Sequence, residues 1–154
     1  CPVRGVLVVC DCRPRERGEP RPGIHPPGAR TIGPDAARDA LSLAKTHARA
    51  FNGKLYVVMS LEGGDENTLE EIEEARTDLA WVEGRLREEG IPAETHLLIR
   101  GRTAGEDIVE FAEEQGADEI VTGLTRKSLV GKFLFGSTTQ HIIMKARCPV
   151  VVVK

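Results

Sequence analysis

Short, unbroken apolar runs rich in β-branched residues alternate along this chain with helix-length amphipathic segments, and this alternation constrains the fold more than any other feature. Val6–Cys10, Leu55–Met59 and the four valines Val150–Val153 are such runs, and Glu119–Thr122 reads as a further strand. Their length and lack of polar alternation fit strands buried on both faces, as in a parallel sheet. Thr95–Ile99 differs, because Glu94 and His96 share a face with Leu98. That alternation suits a sheet edge with one wet face.

Four segments between the runs carry a helical period. Pro34–Phe51 places proline in the first turn and Ala37, Ala40, Leu41, Ala44, Ala48 and Phe51 on one face, with Asn52-Gly53 as the stop. Asn67–Glu89 has capping-box spacing at Thr68 and Glu71 and an apolar stripe of Leu69, Ile72, Ala75, Leu79, Val82 and Leu86. Trp81 falls off that stripe and is either a lone exposed aromatic, the commoner case, or a partner contact. Thr103 and Glu106 form a second box, opening a helix whose inner face is Ala104, Ile108, Phe111 and Ala112 and which ends at Gly116. Gly136–Arg147 is the last helix, packed through Thr139, Ile142, Ile143 and Ala146 and broken by Cys148-Pro149. Strand–helix alternation of this kind means an α/β fold with a doubly wound parallel sheet and helices on both faces.

The 154 residues suit one domain, 1–154, with an Arg/Pro-rich insertion at 12–33. That insertion carries Arg13, Arg15, Arg17, Arg21 and Arg30 without periodicity; it is a functional flap or a disordered loop, and disorder is the safer expectation. A net charge of −3 argues against a dedicated nucleic-acid binder. Cys1, Cys10, Cys12 and Cys148 form no metal pattern and are expected to be reduced thiols in a cytoplasmic protein. No apolar run reaches the length of a membrane span or signal segment.

Chemistry concentrates in Val121–Thr139. Gly123 and Gly136 bracket Arg126, Lys127 and Lys132, and three hydroxyls, Ser137, Thr138 and Thr139, follow Gly136 at the start of a helix. Unpaired N–H groups, a positive dipole end, glycine and cations together favour an anion. A basic surface loop followed by a Ser/Thr helix cap accounts for the same residues. Asp11 ends the first apolar run, where open α/β sheets bind ligands, and it also suits a plain turn. His25, His47, His96 and His141 are scattered, and His47 reads as a packed edge residue. No nucleophile elbow, zinc-protease motif or Walker loop is present, so no catalytic or metal residues are assigned.

These residues resemble the universal stress protein family over nearly the whole chain. The family pattern is glycine, two residues, glycine, nine residues, glycine and Ser or Thr; here it reads Gly123, Arg126 in the second glycine's place, then Gly136-Ser137. Asp11, Cys148-Pro149-Val150 and the terminal valine strand also match. The resemblance implies five strands in the order 3-2-1-4-5, as in adenine nucleotide alpha hydrolase-like folds, and a homodimer through Val150, Val151, Val152 and Val153. It implies ATP, with or without Mg²⁺, held by Asp11 and Met59 at the adenine and ribose. The phosphates would then rest on Gly123, Arg126, Lys127, Gly136, Ser137 and Thr138, with Thr122 just before the loop. Arg126 departs from the pattern. At a position needing positive φ its Cβ would cost roughly 1–2 kcal/mol, whereas pointing outward its guanidinium would clamp a phosphate. Three readings follow: a dimeric ATP-binding regulator, a non-nucleotide interaction module acting through the dimer surface and basic loop, and third an enzyme, with at most slow ATP hydrolysis expected. No nucleic-acid or membrane partner is expected.

Overall fold

The computed structural model describes residues 6–11, 35–61, 69–123 and 136–153. The chain order is β1 (Val6–Asp11), α1 (Asp35–Phe51), β2 (Leu55–Ser60), α2 (Leu69–Glu88), β3 (Ala93–Leu98), α3 (Ala104–Gln115), β4 (Glu119–Gly123), α4 (Ser137–Lys145) and β5 (Val150–Val153). All strand pairs are parallel, and the strands lie side by side as β3-β2-β1-β4-β5. Succession therefore runs outward from β1 to β2 and β3, then returns to the other side of β1 for β4 and β5. The 12–33 insertion, the Thr68 cap and the segment holding Arg126, Lys127 and Lys132 lie outside the described residues.

Strand alternation divides the core into two clusters, one on each face. Leu55, Val57, Met59 and Val121 pack with Ala40, Ala44 and Ala48 of α1 and Ala75, Leu79, Val82 and Leu86 of α2. Tyr56, Val58 and Ile120 pack with Ile108, Phe111 and Ala112 of α3 and Ile142 of α4. Alanines at 40, 44 and 48 let α1 approach the sheet closely, and all are essentially inaccessible. β3 is an edge strand, half-buried along most of its length, as its alternating sequence predicts.

Local chemistry sets the helix ends. The Thr103 side chain accepts from the Glu106 N–H, and the Glu106 carboxylate accepts from the Thr103 N–H, so both arms of the box are made. Gly116 closes α3 with φ of 61°, a left-handed conformation that suits glycine.

Three stripe assignments are corrected. Phe51, expected inside, is 59 % exposed, and it meets the His47 ring edge-on. It lies one turn past His47, which already reaches Glu119 at the start of β4, so little sheet remains beneath it. Leu69 is 82 % exposed because it opens α2, whose buried stripe begins further along the helix at Ala75. Ile143 is 41 % exposed; the short α4 buries only Thr139 and Ile142. Trp81 is partly exposed, with the Arg85 guanidinium 5.9 Å from its ring centre.

Candidate functional site at the carboxyl ends of the strands

The return of the chain across β1 creates a switch point between β1 and β4, the place where open α/β sheets receive ligands. β1 ends there at Asp11, paired in register with Ser60, while Val9 pairs with Thr122. Gly123, half-buried, ends β4. On the α3/α4 side, α4 begins just after Gly136, which is its N-cap and carries no side-chain cap bond. The hydroxyl cap expected as the bland explanation of this stretch is therefore absent. Gly136 and Thr138 are half-buried, Ser137 is exposed and Thr139 is buried.

Four of the buried polar residues gather on this face. Ser60 and Thr122 stand at the ends of β2 and β4, Asp107 in the early turns of α3, and Thr139 in the first turn of α4. The Ser60 hydroxyl donates to Oδ2 of Asp107 at 2.9 Å, in a fully enclosed setting. Oδ1 of Asp107 has no hydrogen-bond partner. An unpaired buried acceptor costs about 1–3 kcal/mol, so its retention in a fold asks for an explanation.

The two helix starts are held together by a missing side chain. A Cβ on Gly105 would lie 2.8 Å from Cβ of His141, a separation real side chains do not adopt. Glycine at 105 is thus what lets the first turn of α3 lie against the second turn of α4. Arg100 and Arg102, in the connection leading to α3, are committed to its outer face: Arg100 bonds Glu110 and Glu114, and Arg102 bonds Glu110. The Glu114 and Glu110 carboxylates hold the Arg100 guanidinium even more firmly in its charged form, and Arg102, with Arg100, holds the Glu110 carboxyl below its usual range.

Of the residues expected at a ligand, the structure brings Asp11, Thr122, Gly123, Gly136, Ser137 and Thr138 to the carboxyl end of the sheet. Met59 is close in sequence to this end, but its side chain is 1 % exposed and packs in the α1/α2 core, leaving only its main chain for a ligand. Arg126 and Lys127 lie outside the described residues. Sequence reasoning missed Ser60, Gly105 and Asp107. A signal existed for Asp107, because position 107 falls in the same stripe as Ala104, Ile108 and Phe111 and so puts an acid on the buried face.

The universal stress protein family model matches residues 31–154. The chain belongs to the universal stress protein family. A universal stress protein of Methanocaldococcus jannaschii is 35 % identical over 135 residues, covering 80 % of this chain and 78 % of the relative. One from Thermus aquaticus is 34 % identical over 131 residues, covering 79 % and 93 %. Among solved structures, a universal stress protein of Archaeoglobus fulgidus superposes with a TM-score of 0.74 at 33 % identity, covering 98 % of this chain and 93 % of the other. The universal stress protein from the same organism in complex with dAMP gives 0.69 at 32 % identity, covering 98 % and 97 %. The family match begins at residue 31, so β1 and Asp11 precede it. No helix among the described residues is long and apolar enough to cross a membrane.

Proposed function

We propose that this universal stress protein is a dimeric regulator that binds ATP or a related adenine nucleotide at the carboxyl ends of its strands. The observation that carries the reading is the start of α4: a glycine N-cap, no side-chain cap bond, and a position beside the switch point between β1 and β4. Backbone N–H groups left without a capping side chain suit a phosphate. The dAMP complex of the Archaeoglobus fulgidus relative supports the same ligand class. In this reading the phosphates rest on Gly123, Gly136, Ser137 and Thr138 together with Arg126 and Lys127, while Asp11, Thr122 and the main chain at Met59 serve the nucleoside. Mg²⁺ would enter on the phosphates, as is usual for that ion.

Dimerisation is proposed through β5. It is a sheet edge made of half-exposed valines, and such an edge is a template for pairing with a second copy. Val152→Lys is expected to shift the sedimenting species to monomer; an unaltered dimer would place the interface elsewhere.

Nucleotide binding is tested by thermal unfolding with saturating Mg-ATP and by mass spectrometry of the supernatant after denaturation. A ligand held by the native state alone at a hundredfold excess over its Kd contributes about 2.7 kcal/mol, an easily read rise in Tm. An unchanged Tm with no co-purified nucleotide would sink the reading in favour of a non-nucleotide interaction module.

A further inference from the structure

Gly105 is buried in the first turn of α3, against His141 of α4. A Cβ added there would sit 2.8 Å from Cβ of His141 and 3.1 Å from its Cγ. The nearest atom is fixed to the helix backbone, so no change of rotamer relieves the contact. Any larger residue at 105 therefore forces one of the two helices to move. Which one moves follows from how each is held.

The fixed member is α3. Both arms of the Thr103–Glu106 box tie its start, and Ala104, Asp107, Ile108, Phe111 and Ala112 bury its inner face. The Ser60 hydroxyl, at the end of β2, donates to Oδ2 of Asp107 at 2.9 Å and pins the same turn to the sheet. That bond is kept although Oδ1 of Asp107 has no partner among the described residues, a cost an apolar pair would avoid. The yielding member is α4. It is nine residues long, it buries only Thr139 and Ile142, and its glycine N-cap makes no side-chain bond. Its far end is held: the Ala146 N–H donates to the Ile142 carbonyl, and Ala146, Cys148 and Val150 pack on the core of that face. With a rise of about 1.5 Å per residue, a push at His141 acts roughly 7–8 Å from Ala146, whereas Ser137 lies roughly 13–14 Å from it. A rigid α4 would thus shift at its start by about twice the displacement at the contact.

We infer that Gly105 is a positioning residue for the anion end of the crevice: its missing side chain sets the seat of α4 and so aims the N–H groups at that helix's start. Those groups have no intrahelical acceptor, and a hydrogen bond weakens steeply with distance and angle. Gly105 acts through His141, and Ser60 and Asp107 serve the same end by anchoring α3, without touching a ligand. The inference rests on the nucleotide reading above and adds a residue of the helix packing that governs how tightly the phosphates are held.

The experiment is calorimetric titration of the full chain with Mg-ATP, well below the Tm of each variant so that Kd refers to folded protein. Gly105→Ala is expected to weaken Mg-ATP about tenfold, the size of one good hydrogen bond to a charged group. His141→Gly removes the contact from the α4 side without crowding it and should weaken Mg-ATP by about threefold through a looser seat. In the His141→Gly background, adding Gly105→Ala should alter Kd by less than about twofold, because the opposing Cβ is gone. Leu86→Ala is the control: it destabilises the opposite face of the sheet and should leave Kd unaltered. An unchanged Kd in Gly105→Ala, or in His141→Gly should the former not fold, overturns the inference while nucleotide binding stands. A loss on Gly105→Ala that persists in full in the His141→Gly background overturns it too. Failure of the wild type to bind Mg-ATP overturns both readings together.

Discussion

The two faces of the sheet are built from different materials. On the α1/α2 face, small alanines and branched aliphatics close against Leu55, Val57 and Met59, and among the described residues Asp78 is the fully buried polar one. On the α3/α4 face the apolar cluster gives way, toward the carboxyl ends, to Ser60, Asp107, Thr122 and Thr139. Burial of aliphatic surface is non-directional and stabilises wherever volume is filled. Buried hydroxyls and carboxylates stabilise only with fixed partners, and they also offer directed bonds to a ligand. The first face should thus set stability and the second should set what is bound.

The contrast is broken most severely by Leu86→Ala. This side chain is 1 % exposed in the α1/α2 cluster, and its loss should destabilise by about 2–5 kcal/mol through transfer and cavity terms. Urea unfolding should show that loss, while the Kd of the folded protein for Mg-ATP stays unaltered; a changed Kd would deny the division of labour.

Gly105→Ala acts on the other face and sets two effects against each other. Alanine gains up to about 1 kcal/mol of helix propensity, whereas overpacking against His141 costs roughly 1–3 kcal/mol. The contact is with Cβ and cannot be relieved by swinging a side-chain tip, so destabilisation of about 1 kcal/mol is expected, with α3 and α4 moving apart. A stabilised variant would show that the two helix starts slide freely. Thr103→Ala removes one cap bond and should cost about 1 kcal/mol in the same unfolding assay.

The smallest effect concerns the β3 edge, where Lys54 and Glu94 form an ion pair and His96 bonds the same carboxylate at 3.3 Å. The Lys54 hydrogen bond holds the Glu94 carboxyl below its usual range, and Glu94 in turn holds the Lys54 ammonium above its ordinary value. Glu94 thus contributes stability above the ordinary carboxylate range, and that contribution fades as pH falls through its lowered pKa. Lys54 contributes below its ordinary pKa of 10.5, and its share fades as pH rises through the raised value. Both groups are partly exposed, so the pair is worth less than about 1 kcal/mol. Glu94→Gln should lower stability slightly at neutral pH and flatten the acid limb of the stability–pH curve; identical limbs would show the pair to be idle.

Much of the architecture was legible before any coordinates. The parallel reading of Leu55–Met59 and Val150–Val153, the Thr103–Glu106 box and the Gly116 stop depend on neighbours within a few residues, and all appear where the sequence puts them. The edge character of β3 was readable from its alternation. Phe51, Leu69 and Ile143 were misplaced because periodicity says which side of a helix is apolar and not how far the sheet extends beneath it. The glycine–hydroxyl stretch was readable as a candidate anion site or a capped surface loop, but Gly136 acting without a side-chain cap is a fact of local geometry that Gly-Ser-Thr-Thr does not spell out.

What the sequence determined by itself is the set of elements and the family, because strand, helix and cap signals are short-range and additive. Only the tertiary structure decided the floor of the candidate site. Ser60 and Asp107 are 47 residues apart and meet because β2 and α3 pack at one end of the same sheet. Gly105 and His141 meet because α3 and α4 cross that face together. A hydrogen bond is directional over about 3 Å, so no pattern of types along the chain can announce it until the fold has brought donor and acceptor face to face.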